Sequence, residues 1–209
     1  MGYQVLKSAR KLRRSRDELS YKRLNWRLVA RGRILDGFSR VCNEASEADF
    51  PLRLFVQNFE SPSEDTIQIT TEKIKTGASG EATIEDGGAL VASQSITGDV
   101  TFIVYPRKSD RLQPKFKEIL LFEPLDPISV TDKHIRVAAR QFSFLVRVTS
   151  LYGYASVSLL DRLFLKVLLV RDLRFKSKLL YSIINLSNRW AGVIVASLLA
   201  LLIAVYTKP

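Results

Sequence analysis

Few side chains in this sequence are of the kinds that carry chemistry, and their spacing argues against most reactions. His134 is the one histidine. Standing alone near the start of a helical stretch, it reads as a helix-capping or surface residue, not as a general base. With a single histidine and a single cysteine, Cys42, the chain has too few nitrogen and sulfur donors for a zinc site of that type. Cys42 sits beside Asn43 and Glu44 in a helical context with no partner base, so it reads as a packed thiol. Glu64-Asp65 and Glu85-Asp86 could be drawn as acid and base pairs, but adjacent acids between strands are ordinarily solvated turn residues. The glycines between 77 and 88 lack a Lys-Ser or Lys-Thr after the second one, so they form no phosphate-binding loop. Hairpin turns account for them. Asn185-Leu186-Ser187 fits the glycosylation pattern, but the cytoplasmic placement argued below makes it a chance match. The expectation is a protein without catalytic residues, cofactor or metal.

Two features stand out from this background. The stretch PRKSDRLQPKFK, residues 106–117, puts Arg107, Lys108, Arg111, Lys115 and Lys117 on one loop of an otherwise acidic region. Such a loop suits an anionic ligand, a headgroup or a protein partner. The other is a line of small residues, Gly192, Ala196, Ala200 and Ala204, spaced by four and so aligned along one side of a helix. That spacing lets two helices approach closely and self-associate.

These small residues lie in WAGVIVASLLALLIAVY, seventeen residues without a charge from Trp190 to Tyr206. As a helix this run reaches roughly 25 Å, close to a hydrocarbon core of about 30 Å. A soluble helix would show a polar edge, whereas the polar atoms here are confined to Ser197 and the two end rings. Trp190 and Tyr206 stand where amphipathic rings prefer the membrane interface. Arg189 and Lys208 lie just outside and can snorkel. The run is expected to be a single-pass transmembrane tail anchor. Nothing resembling a signal peptide or a myristoylation site occurs at the N-terminus.

Charge sets the expected orientation. Arg162, Lys166, Arg171, Arg174, Lys176, Lys178 and Arg189 precede the run, against Asp161 and Asp172, while Lys208 alone follows it. Basic residues close to a span favour the cytoplasmic side. The body should therefore face the cytosol, with Arg171, Arg174, Lys176, Lys178 and Arg189 against an anionic leaflet. Over the whole chain the net charge of +11 divides into +9 for residues 1–40, −7 for 41–130 and +9 for 131–209. A lone cysteine excludes an internal disulfide and fits a reducing compartment.

The elements that must position these residues can be read from periodicity. Residues 3–45 favour one long basic helix, bent or split near Gly32, with Val5, Leu12, Leu19 and Trp26 seven apart. Tyr21, Leu24, Leu28 and Leu35 follow a neighbouring stripe. Between Pro51 and Pro127 the pattern changes to alternation. Ile67, Ile69 and Thr71 predict one half-buried strand, and Leu90, Ala92, Gln94 and Ile96 another. DVTFIVYP (99–106) reads as a central strand, with LRLFV (52–56) and EILLF (118–122) as further strands. Thr97-Gly98-Asp99 and Asp86-Gly87-Gly88 supply turn chemistry. A capping-box pattern at Ser129–Asp132 opens a helix whose inner face is Ile135, Ala138, Ala139, Phe142, Leu145 and Thr149. A second helix runs from Leu159 to Val170.

The expected fold is α+β: a small antiparallel β-rich domain (sheet, sandwich or barrel) flanked by a basic N-terminal helix and C-terminal helices, with one C-terminal transmembrane helix. The divisions are 1–48 basic helix, 49–128 acidic β-rich domain, 129–186 helical pair with basic juxtamembrane segment, and 187–209 membrane anchor. The expected function is a membrane-anchored, non-enzymatic interaction, sensor or effector module that binds a protein partner or itself. A second reading is a tethered nucleic-acid or ribosome binder using the basic helix, whose twelve basic side chains within residues 1–40 could neutralise several phosphates.

Overall fold

The computed structural model describes residues 2–59, 66–76, 83–109, 113–114 and 116–172. The fold over these residues is α+β, an antiparallel sheet covered by helices. The Gly192, Ala196, Ala200 and Ala204 line and the whole uncharged run lie outside them, as do Glu64-Asp65 and Asn185–Ser187. Among the described residues no helix is long and apolar enough to cross a membrane.

The N-terminal helix forms as the composition predicts. Helix α1 (Gly2–Asn25) passes through one π turn (Trp26–Ala30) into α2 (Arg31–Glu47). The amide of Arg31 reaches back to the Trp26 carbonyl, five residues earlier. The wider turn returns Trp26 and Ala30 to one side, and the four-residue step continues through Ile34 and Phe38. All four are wholly buried. The seven-residue stripe upstream is not: Val5 and Leu12 are exposed, and Tyr21, Leu24 and Leu28 are exposed as well. Only the lower half of the long helix therefore has a core to face.

Five strands make the main sheet in the order β1-β2-β5-β6-β8: β1 (Leu54–Asn58), β2 (Thr66–Thr71), β5 (Ala89–Gln94), β6 (Val100–Tyr105) and β8 (Ile119–Leu120). The alternation read from sequence holds for Ile67, Ile69, Leu90, Ala92, Val100, Phe102 and Val104, all inward, but not for Ile96, which lies past the end of β5 in the turn and is 90% exposed. Their packing against Trp26, Ile34, Phe38, Ile135, Phe142 and Leu145 makes one continuous core.

Three short strands, β3 (Ile74–Thr76), β4 (Thr83–Asp86) and β7 (Lys108–Ser109), form a second sheet. It continues the first without a slip of register. Thr70 faces Ala89 and Ile74 faces Glu85, and likewise Ala89 faces Tyr105 and Glu85 faces Ser109. The three middle strands are thus long ribbons bent between the sheets. Asp86-Gly87-Gly88 is consequently no hairpin turn but the bend itself. A Cβ on Gly87 would lie 2.0 Å from the Thr71 carbonyl oxygen, so only glycine allows the ribbons to approach there. Thr97-Gly98-Asp99 is the expected turn, with Gly98 at φ +86°.

Helix α3 (Asp132–Thr149) buries all six predicted inner residues. A short α4 (Leu151–Tyr154) follows, and then α5 (Leu159–Arg171).

Candidate functional site

The basic loop does not assemble as its spacing suggests. Arg107 is turned inward and wholly buried, which corrects its expected place on a solvated anion-binding loop. Glu85 stands opposite Ser109, so Arg107, two residues before Ser109, is its diagonal neighbour on the same face. The Arg107 Nε donates to Glu85 Oε1 at 2.7 Å. Its Nη1 donates to the Thr71 hydroxyl and, at 3.1 Å, to the Glu72 carbonyl. The Arg107 amide donates to Thr149 Oγ1 at 3.1 Å, and the Leu151 amide donates to Glu85. One buried pair therefore joins the bent ribbons to the junction between α3 and α4. Lys108 and Lys117 are exposed, while Arg111 and Lys115 lie outside the described residues.

The other sequence candidates are structural. His134 Nδ1 caps α3 through the Thr131 amide (3.2 Å) and hydroxyl (3.0 Å), as a capping residue should. Its ring meets Phe122 edge-on at 5.6 Å. Burial pushes the Cys42 thiol above its ordinary pKa, which removes rather than creates nucleophilicity. Asp86 is exposed and pairs with Lys73 at 2.9 Å. Among the described residues no group of three or more His, Cys, Asp or Glu side chains could hold a metal.

Among the described residues, two surfaces stand out as able to meet another molecule. The first is the upper half of α1. Lys7, Arg10, Lys11, Arg13, Arg14 and Arg16 are all exposed there. Lys7 and Lys11, and Arg10 and Arg14, are neighbours one helical turn apart and repel each other by a few tenths of a kcal/mol per pair. Such a surface gains by meeting an anion. Body contacts lie lower, where Leu19 and Lys22 pack on Gly98. Lys22 Nζ bonds Asp99 at 2.9 Å, and that bond raises the lysine above its ordinary pKa.

The second surface is α5, which is apolar on two sides. Leu168 is buried, and Leu165 and Leu169 pack against the core. On the other side Leu159, Leu160, Leu163, Phe164, Val167 and Val170 are exposed, the first two at 76%. The helix is held in this pose at both ends. Ser158 and Asp161 cap each other, and Arg147 Nη2 donates to Asp161 Oδ1 at 2.6 Å. At the far end buried Asp172 Oδ2 accepts the Leu120 amide at 3.0 Å. Arg171 is exposed, and Arg174, Lys176, Lys178 and Arg189 lie outside the described residues.

Comparison with protein-family models, with curated proteins and with solved structures finds no match.

Proposed function

We propose that the protein is a single-pass, membrane-anchored interaction module whose α+β body stands at the cytoplasmic face and works by binding, not by catalysis. The observation that carries this reading is the uncharged run 190–206, with aromatic ends and a basic approach. The body supports it: its polar network at Arg107 and Glu85 is spent on holding the fold, and its open surfaces are of the kinds that bind. Anionic lipid attracts each nearby Lys or Arg by roughly 1 kcal/mol within about 8 Å. Arg171, Arg174, Lys176 and Lys178 would hold the leaflet, while the acidic sheet region is repelled from it. The exposed bases of α1 could join the same leaflet or meet the acidic face of a neighbouring body. Replacing those four residues with Gln, and mapping protease accessibility from each side, tests the orientation. A mixed orientation supports the claim that these four charges set the pose, and an unchanged, uniformly cytosolic body with unaltered lipid contact contradicts that claim.

The six exposed bases in the upper half of α1 also favour a second reading, a tethered binder of nucleic acid. Titrating salt against RNA and against anionic vesicles separates the two. Binding to RNA that is tight and falls steeply with salt, with little vesicle binding by residues 2–47, favours the second.

A further inference from the structure

We propose that the exposed face of α5 is a lipid-contacting surface, so that the body lies with this helix in the membrane interface instead of hanging free on its tether. This inference rests on the anchor reading for the identity of the surface.

The physical difficulty that α5 presents is its second apolar side. A helix apolar all round is stable when both sides are covered. Leu159, Leu163, Val167 and Val170 recur every three or four residues, with Leu160 and Phe164 beside them, and all six are exposed. This stripe is large, continuous and fixed, because Asp161 and Asp172 pin the helix at both ends and Phe164 stacks edge-on against Phe144 at 4.7 Å. The inner side cannot roll outward to hide it.

Charge identifies what covers the stripe. At 100° per residue, Arg162 and Lys166 lie along one border of the stripe, and Arg171 stands towards its other side, between Leu160 and Phe164. The exposed charges of the helix are thus all basic, while its one acid, Asp161, lies beyond Phe164 and is taken up by Arg147 on the body. An apolar stripe whose exposed charged neighbours are all basic is the pattern of a helix lying in the plane of an anionic membrane surface, with its apolar side among the acyl chains. A second copy of α5 laid on the first would set these like charges against each other.

The chain itself brings the surface near. From Arg171 to Trp190 is nineteen residue steps, a reach of at most about 65 Å even when fully extended. With residues 190–206 in the bilayer, α5 is confined near the headgroups at a high effective concentration, so a contact too weak to recruit a free protein suffices to seat a tethered one.

The test uses the full chain in vesicles of phosphatidylcholine and phosphatidylserine. Single cysteines are placed by L163C, V167C, K75C and S197C on a C42S background and labelled with an environment-sensitive fluorophore. Quenching by spin-labelled lipid is then read for each position. The inference predicts quenching at 163 and 167 roughly threefold or more above that at exposed Lys75, as for an apolar face buried about 5–10 Å into the headgroup boundary. Quenching at 197 with 163 and 167 no different from 75 overturns it and leaves the anchor standing. Cross-linking of 163 between copies without lipid quenching overturns it in favour of self-association. Quenching at 163 and 167 but not at 197 supports the α5 surface and overturns the anchor.

Discussion

Arg107 Nε and Glu85 Oε1 lie 2.7 Å apart with both side chains essentially excluded from solvent. In sequence one belongs to a basic loop and the other to a pair of turn acids. The pairing arises because antiparallel register places them on one face of the bent ribbon. Removing one partner leaves a buried charge uncompensated. The variant Glu85→Gln is expected to lose roughly 3–5 kcal/mol of stability in a denaturant titration. The double variant Glu85→Leu/Arg107→Met should recover most of that loss. Equal loss in both would show that the pair's hydrogen bonds, not its charge balance, carry the stability.

Two glycines in α2 should respond with opposite signs to the same added methyl and its extension. Gly32 is exposed, and a Cβ there meets nothing within 4 Å. Gly32→Ala should stabilise by about 0.5–1 kcal/mol through helix propensity. At Gly37 a Cβ would lie 2.7 Å from Ile135 Cγ2, where α2 crosses α3. Isoleucine is stiff at that atom. Gly37→Val should therefore cost about 1–3 kcal/mol by overpacking. Thermal unfolding of the two variants checks both, and a stabilising Gly37→Val would show that the crossing is looser than described.

The start of α5 should be acid-sensitive. The Arg147 guanidinium, then the Ser158 amide, holds the Asp161 carboxyl down to about 2 from 3.8. A carboxyl depressed on folding contributes its stability in full above the unfolded value and loses it as pH falls through the folded one. The docking of α5 should thus weaken as pH falls from 3.8 to about 2, as read from amide protection in the helix. Asp161→Asn should weaken docking at neutral pH and flatten that dependence. A carboxyl carbon of Asp161 titrating near its unfolded value would contradict the ion pair.

Much of the architecture was legible because it is local. Alternation at Ile67, Ile69 and Thr71 located β2, and the three- and four-residue spacing from Ile135 to Thr149 located the inner face of α3. The bend at Gly87-Gly88 was not legible, since it depends on the approach of Thr71 from a separate strand. Nor was the buried pair. In β4 Ile84 is 49% exposed and Glu85 1%, so hydropathy points the wrong way there. The π turn at Trp26 left only a faint trace, the change from a seven-residue to a four-residue step. The α5 stripe was readable as an apolar helix, but which side lacks a neighbour depends on packing.

The proposed role depends first on residues 190–206 holding the body to a membrane. Deleting residues 187–209 and fractionating cells, followed by carbonate and salt washing of the membranes, tests it most directly. The full chain should stay with the membranes through both washes, while the truncated chain, retained at most weakly by α5, should move to the soluble fraction. A truncated chain that stays in the pellet through both washes without aggregating would contradict it.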